Sequence, residues 1–181
     1  MQPHELRSET LRSEALNLRP LVPGDAAEMV GVLADPALYE FTGGEPPSAE
    51  ALEERYRFQV QGPADGRELW FNWIIRRNTD GVAVGFVQAT VTPAANASAA
   101  NAELAADVAW VIGTPFQRNG YAAAATRVMC RWLHRSGIAR ITAHIHPEHA
   151  ASQAVAAGVG MVRTGTVDED GEEVWATPAT A

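Results

Sequence analysis

Three consecutive patterns constrain this chain more than any others. Residues 103–112 are a β-like run, residues 119–136 carry apolar side chains at helical spacing, and residues 138–146 are β-like again. Ala125, Val128, Met129, Trp132 and Leu133 form one stripe of the helix, which Gly137 then stops. A strand, a covering helix and a second strand make a crossover unit whose two strands lie parallel. Upstream, the β-branched and aromatic runs Leu69–Arg77 and Val82–Thr92 are separated by Asn78-Thr79-Asp80-Gly81. Asp-Gly between two such runs signals a hairpin, so this part of the sheet is antiparallel. One mixed, mostly antiparallel sheet follows, with helices packed against it.

The remaining segments fit that sheet. Leu16 to Leu21 alternates as a strand does, Pro23-Gly24-Asp25 breaks it, and Asp25 is a candidate cap for a helix carrying Ala26, Met29, Val30 and Leu33. Phe41 to Pro47 is a turn-rich loop, and Ser48 caps a second helix with Leu52, Tyr56 and Val60. Pro93 to Asn101 reads as a flexible connection. A short helix spans 149–158, and two short strands, 161–167 and 173–176, flank an Asp168-Glu169-Asp170-Gly171 turn. The expected order is β-α-α-β-β-β-α-β-α-β-β, a flexible segment over 1–14 followed by a single α/β (α+β) domain over 15–177.

Composition removes several function classes. The 14 basic residues, all Arg, stand against 22 acidic ones, a formal net charge of -8, which disfavours nucleic acid as a partner. An acidic balance suits a cationic acceptor such as an amine. The one cysteine, Cys130, excludes an internal disulfide and a multi-cysteine metal site. Its apolar helical neighbours mark it as a packed thiol. No run approaches the roughly 20 apolar residues of a membrane span, and the first residues lack a signal-peptide core. The expectation is a soluble cytoplasmic protein without a membrane partner, and a homodimer is compatible with it.

The chemistry concentrates in Trp110-Val111-Ile112-Gly113-Thr114-Pro115-Phe116-Gln117-Arg118-Asn119-Gly120-Tyr121-Ala122. A strand runs into a turn and a helix begins at glycine, so unpaired N–H groups converge on one small volume at the positive end of a helix dipole. Gly120 and Ala122 have little side-chain bulk, which lets a diphosphate approach the backbone, and Arg118 adds a cation.

With Gln117, Gly120 and Ala122 matching R/Q-x-x-G-x-G/A, the segment resembles the coenzyme A-binding motif of the GNAT superfamily of N-acetyltransferases. Leu16 to Ala27 and His149 to Met161 extend the likeness over roughly 16–176. It resembles most the branch that contains ribosomal-protein N-terminal acetyltransferases. The resemblance implies acetyl-CoA as co-substrate, its pyrophosphate on the amides of Arg118, Asn119, Gly120, Tyr121 and Ala122. It implies that pantetheine bonds to Val111 and Ile112 as if it were a strand, and that an N–H near Trp110 or Val111 faces the thioester oxygen. No metal is implied, and His144, His146 and His149 lack a third ligand fixed by spacing.

An acceptor amine must lose a proton before it attacks. At pH 7 a lysine-like amine is neutral about once in 2,500 molecules, equivalent to ~4.6 kcal/mol, whereas an α-amine requires only ~1.4 kcal/mol. A base matters accordingly. Asp107, three residues before Trp110, is the leading candidate, where family members often carry a Glu; Glu103 is the reserve. Many family members protonate the leaving thiolate with a Tyr seven residues after an Asn, but here Ala156 and His149 stand at those positions. Ser152 matches a Ser of the resembled branch and is the candidate donor to the sulfur. His149 either bonds pantetheine as the Asn does or caps the helix. Tyr39, Phe41, Asn72 and Gln88 are candidates for contact with the acceptor.

The reaction expected is direct acetyl transfer to a primary amine. Two alternatives stay open from the sequence: another acyl-CoA or acceptor atom, and a non-catalytic module that binds coenzyme A.

Overall fold

The computed structural model describes residues 6–64, 66–94 and 103–178. Its strands are β1 (Leu11–Arg12), β2 (Leu16–Pro20), β3 (Leu69–Arg77), β4 (Ala83–Pro93), β5 (Leu104–Ile112), β6 (Arg140–Ile145), β7 (Val162–Val167) and β8 (Glu173–Ala176). The helices are α1 (Ala26–Val32), α2 (Ala49–Gln61), α3 (Tyr121–Arg135) and α4 (Ala150–Gly158). All eight strands form one sheet in the order β1-β2-β3-β4-β5-β6-β8-β7, antiparallel except for β5 with β6. This is the mixed, mostly antiparallel sheet that the hairpin and crossover patterns require. The connection expected over 93–101 falls largely on residues 95–102, outside the described residues.

Each face of the sheet has its own core. On one face α3 buries Ala125, Val128, Met129, Trp132 and Leu133, the stripe expected from periodicity, against Phe71, Trp73, Val87, Ile141 and Ala143. Trp132 meets Phe71 and Trp73 edge-on, with ring centroids 5.0 and 5.2 Å away. On the other face α1 and α2 cover Ile74 and Ala83 with Met29, Leu33, Leu52 and Tyr56. Truncating a buried Leu such as Leu133 to Ala in a core of this kind typically costs about 2–5 kcal/mol.

Two expectations need correction. Residues 1–14 are not a flexible segment throughout: Leu11 and Arg12 pair with Leu18 and Asn17, Leu11 is buried, and Trp73 Nε1 donates to the Glu9 carbonyl at 2.8 Å. Two leucines five residues apart, Leu6 and Leu11, carry no periodic signal in a polar run, and partners from β2 and β3 supply the order. Residues 1–5 lie outside the described ones. Asp25 does not cap α1. Its buried carboxylate instead accepts from the Val22 N–H at 2.9 Å and pairs with Arg19 and Arg76. Ser48 does cap α2, accepting from the Ala51 N–H at 3.2 Å. Among the described residues no helix is long and apolar enough to cross a membrane.

Candidate active site

The sheet opens between its two parallel strands. β5 and β6 are paired only from Ala105–Arg140 to Asp107–Thr142, while on its other edge β5 stays paired with β4 as far as Ile112 opposite Gly85. The β4–β5 ladder is closed at its ends by Gly113 N–H to Val84 O (2.9 Å) and Ala94 N–H to Glu103 O (2.7 Å). Hydrogen-bonded pairs alternate along an antiparallel ladder, so odd-numbered residues of β5 turn their peptide groups to β4 and even-numbered ones turn theirs toward β6. Where β6 has diverged, the N–H and C=O of Trp110 and the N–H of Ile112 therefore face an opening. The Ile112 carbonyl is taken by Gln117 Nε2 at 3.1 Å.

This geometry bears on two of the residues singled out in the sequence. Val111 pairs with Phe86 of β4, so Trp110 and Ile112, not Val111, offer main-chain groups to the opening. The Gln117 side chain is occupied in holding the turn to the strand. Gly85 keeps β4 against β5 at this point: a Cβ there would lie 2.0 Å from the Val111 carbonyl oxygen.

Beyond β5 the chain makes a short 3-10 turn, Thr114–Phe116, and enters α3. Asn119 Nδ2 ties the approach together, donating to the Phe116 and Gln117 carbonyls at 3.0 Å each. Arg118 has φ 63°, the one positive value at a non-glycine residue among the described residues, and Gly120 has φ 75°. A left-handed Arg is disfavoured by roughly 1–2 kcal/mol and persists where surrounding structure imposes it. The first bond of the helix is Ala124 N–H to Gly120 O at 3.0 Å, and among the described residues no side chain caps the start. The N–H groups of Gly120, Tyr121, Ala122 and Ala123 precede that bond and point out of the helix start. Apart from its chain neighbours, no atom of the described residues lies within 4 Å of the place a Gly120 Cβ would occupy. Arg77, which the sequence reading did not single out, brings its guanidinium 5.4 Å from the Phe116 ring beside this turn while pairing with Asp80.

On the α1/α2 face, Asp107 projects beside the mouth of the opening. Thr142, its register partner on β6, donates its hydroxyl to Asp107 Oδ1, and His144 Nε2 lies 3.5 Å from the same oxygen. His144 Nδ1 lies 2.5 Å from Asp168 Oδ2. Burial alone pulls the imidazole down; the Asp168 hydrogen bond and the charges of Asp107, Asp168 and Glu172 outweigh it, and the net direction is up. Glu103 lies four residues before Asp107, roughly 13 Å along the strand and away from the opening.

Phe41 stacks on His149 (4.5 Å between centroids) and meets His146 at 5.2 Å, so the loop after α1 reaches the start of α4. Burial and the neighbouring His146 hold the His149 imidazole below its ordinary range. His144 and His146 thus engage different partners. The Tyr39 hydroxyl donates to Leu33 O at 3.0 Å, which makes it a brace for the loop. Asn72 and Gln88 are register partners on β3 and β4, and Gln88 faces Ala109 on β5. Asn72 also lines a cavity of ≈ 30 Å³ with Arg55, Tyr56 and Gln59, where the buried Tyr56 hydroxyl has no partner among the described residues.

A family model, "Acetyltransferase (GNAT) domain", matches residues 15–162. The chain belongs to the GNAT acetyltransferase family. Solved structures agree in fold. A GNAT-family acetyltransferase from Bacillus anthracis has a TM-score of 0.70 at 15% identity, over 93% of this chain and 96% of that one. A Vibrio cholerae protein, named provisionally as a ribosomal-protein-serine acetyltransferase, has 0.72 at 18%, over 93% and 97%. The aminoglycoside acetyltransferase AAC(6')-Ib, solved with ribostamycin and coenzyme A, has 0.70 at 17%, over 91% and 93%. No curated protein sequence matches the chain.

In this GNAT acetyltransferase the two departures from the family pattern have a structural reading. Ala156, on α4, is fully buried and packs into the core at the position where the resemblance implies a Tyr. His149 is the residue at the start of α4, makes no side-chain cap bond, and leans on Phe41 instead. Ser152, in the first turn of α4, has no hydrogen-bond partner for its hydroxyl among the described residues.

Proposed function

We propose that the protein transfers the acetyl group of acetyl-CoA to a primary amine by direct attack within a ternary complex. The observation that carries this reading is the opening between β5 and β6, where unclaimed peptide groups of Trp110 and Ile112 lead to the uncapped start of α3. A strand-like pantetheine arm needs such an edge, and a diphosphate needs such a helix terminus. The residues present fit acetyl-CoA, which supplies the activated acetyl group when bound.

The chain's own groups divide the work. The amides from Gly120 to Ala123 and the side chain of Arg118 hold the diphosphate. The Trp110 N–H is preformed and faces the volume where a carbonyl oxygen gains negative charge, the kind of stabilisation that contributes most to acyl transfer. Asp107 takes the proton of the amine. It sits three residues from Trp110, roughly 10 Å along the strand, so a water carries the proton across the gap. As the C–S bond breaks, the Ser152 hydroxyl passes its proton to the departing sulfur and takes in its place the second N–H proton of the tetrahedral adduct, so the amide, the free thiol and the restored serine are left and no covalent enzyme intermediate forms. The acceptor lies on the α1/α2 face, bounded by Phe41, Asn72 and Gln88, with Tyr39 bracing the loop.

Coenzyme A thiol release, measured with a serine-initiated peptide, a diamine and an aminoglycoside, tests this directly. Turnover with at least one of them is expected. Asp107→Asn is expected to lower kcat by about 10²–10⁴-fold while calorimetric acetyl-CoA affinity stays constant. An Asp107→Asn enzyme with unchanged rate and pH profile would remove Asp107 as the base.

A further inference from the structure

The base in this site has to be emptied once per turnover, and the fold places a second group behind it. His144 stands between two carboxylates from different parts of the sheet, Asp107 on β5 and Asp168 in the turn between β7 and β8. Asp168 is fixed independently of the histidine: its Oδ1 accepts the Asp170 and Glu172 N–H groups at 3.0 and 2.9 Å, which leaves Oδ2 for His144 Nδ1. A ring nitrogen bonded to a carboxylate carries its proton there, so in neutral His144 the lone pair is on Nε2, and Nε2 faces Asp107. Both side chains are open to solvent in the free protein, Asp107 at 54% and His144 at 36%; an acceptor seated beside Asp107 covers the carboxylate and leaves the ring as its way to water. The charged groups facing the ring are Asp107 from β5 and Asp168 and Glu172 from the β7–β8 turn.

We propose that His144 is the proton outlet of the acetyl-transfer site, passing to solvent the proton that Asp107 takes from the amine, with Asp168 as the positioning residue that fixes its tautomer. The inference rests on the acetyl-transfer reading above. The steps balance without any further reactant. An N–H bond of the ammonium breaks and an O–H bond forms on Asp107, by way of water. That O–H breaks as Nε2–H forms, giving an imidazolium and restoring the Asp107 carboxylate. The imidazolium releases one proton to bulk water, and neutral His144 returns with its remaining proton on Nδ1 against Asp168. The 3.5 Å separation suits the resting state, in which a lone pair faces a carboxylate and no proton lies between them; protonation of Asp107 supplies it.

Because the outlet works only when His144 is neutral, kcat rises with pH through the His144 ionisation. Its carboxylate partners favour the imidazolium, so the acid limb of the wild-type profile lies above the range of a free imidazole. Asp168→Asn keeps an oxygen acceptor for the two turn amides, so the fold is retained; it removes the anion, which moves the acid limb to lower pH, and it turns an NH2 donor toward Nδ1, which puts the proton of the neutral ring on Nε2 and lowers kcat. His144→Gln removes the limb and lowers kcat by at least about tenfold, with the KM for acetyl-CoA unchanged.

The experiment is the pH profile of thiol release for wild type, Asp168→Asn and His144→Gln, using whichever of the three panel amines turns over fastest. A parallel NMR titration of the histidine side chains in wild type, Asp107→Asn and Asp168→Asn reads the His144 ionisation without turnover and is expected to fall in both variants. Turnover with an acid limb that stays in place in Asp168→Asn, or a His144→Gln enzyme with full kcat, overturns the outlet and leaves acetyl transfer standing. A wild-type enzyme that turns over none of the amines while binding acetyl-CoA overturns both.

Discussion

The helix start at Gly120 gives the sharpest prediction, because the chain contains its own control. Gly120 and Gly137 flank the same helix, α3, with φ of 75° and 81°, and neither has an atom within 4 Å of an added Cβ. Gly120→Ala and Gly137→Ala therefore carry the same kind of backbone strain, roughly 1–2 kcal/mol for a left-handed non-glycine residue. For a domain of this length that corresponds to a fall in Tm of about 2–8 °C in each. The positions differ in what the methyl group enters. Gly137 lies beyond the end of the helix, whereas Gly120 lies beside the amides of residues 120–123, where the diphosphate is proposed to sit. Losing one or two hydrogen bonds to a charged diphosphate, at about 1.5–3 kcal/mol each, weakens binding by roughly 10- to 10⁴-fold. Calorimetry with coenzyme A, alongside thermal melts of both variants, separates the effects. Equal coenzyme A affinity in Gly120→Ala and Gly137→Ala would refute the assignment of the diphosphate to this helix start.

Further outcomes follow from the packing. Asp25→Ala removes the buried carboxylate shared by Arg19, Arg76 and the Val22 amide; a loss of about 3–5 kcal/mol in denaturant unfolding is expected, and a loss below 1 kcal/mol would show that solvent already screens the cluster. Cys130 is buried on α3 and its thiol is pushed up to about 12 by burial, so the folded protein should not react with a thiol reagent at pH 8 and the denatured protein should react once per chain. Prompt labelling of native protein would contradict that packing. Gly85→Ala forces β4 away from the Val111 carbonyl, and is expected to lower both Tm and acetyl-CoA affinity; a loss of stability with affinity intact would show that the tip of β5 does not bind the co-substrate.

Much of the architecture was legible because it follows from periodicity. The stripe on α3 and the Asp80-Gly81 hairpin each have a local cause, and local causes are written in neighbouring residues. β1 was not legible, since Leu11 and Arg12 take their order from β2 and from the Trp73 indole far along the chain. The helix-start turn was visible in Gly120 and Ala122, but the strained φ of Arg118 was not, because Arg has no intrinsic preference for it. Which peptide groups of β5 are free was also hidden: Val108, Trp110 and Ile112 continue the alternation of a paired strand, and only the divergence of β6 shows that pairing has ended. His144 and Asp168 meet because β8 inserts between β6 and β7, an arrangement in which neighbours in space are not neighbours in sequence.

The opening in the sheet presents peptide bonds to its guest, and every residue but proline brings the same N–H. If, as proposed, that opening holds the pantetheine arm and the helix start the diphosphate, a lineage can rewrite the side chains at positions 110, 112 and 121–123, within the limits of packing, and keep its hold on the co-substrate. Divergence in such a protein erodes the spelling before it erodes the grip, and proline scanning across those positions would find the hold more readily than any comparison of letters.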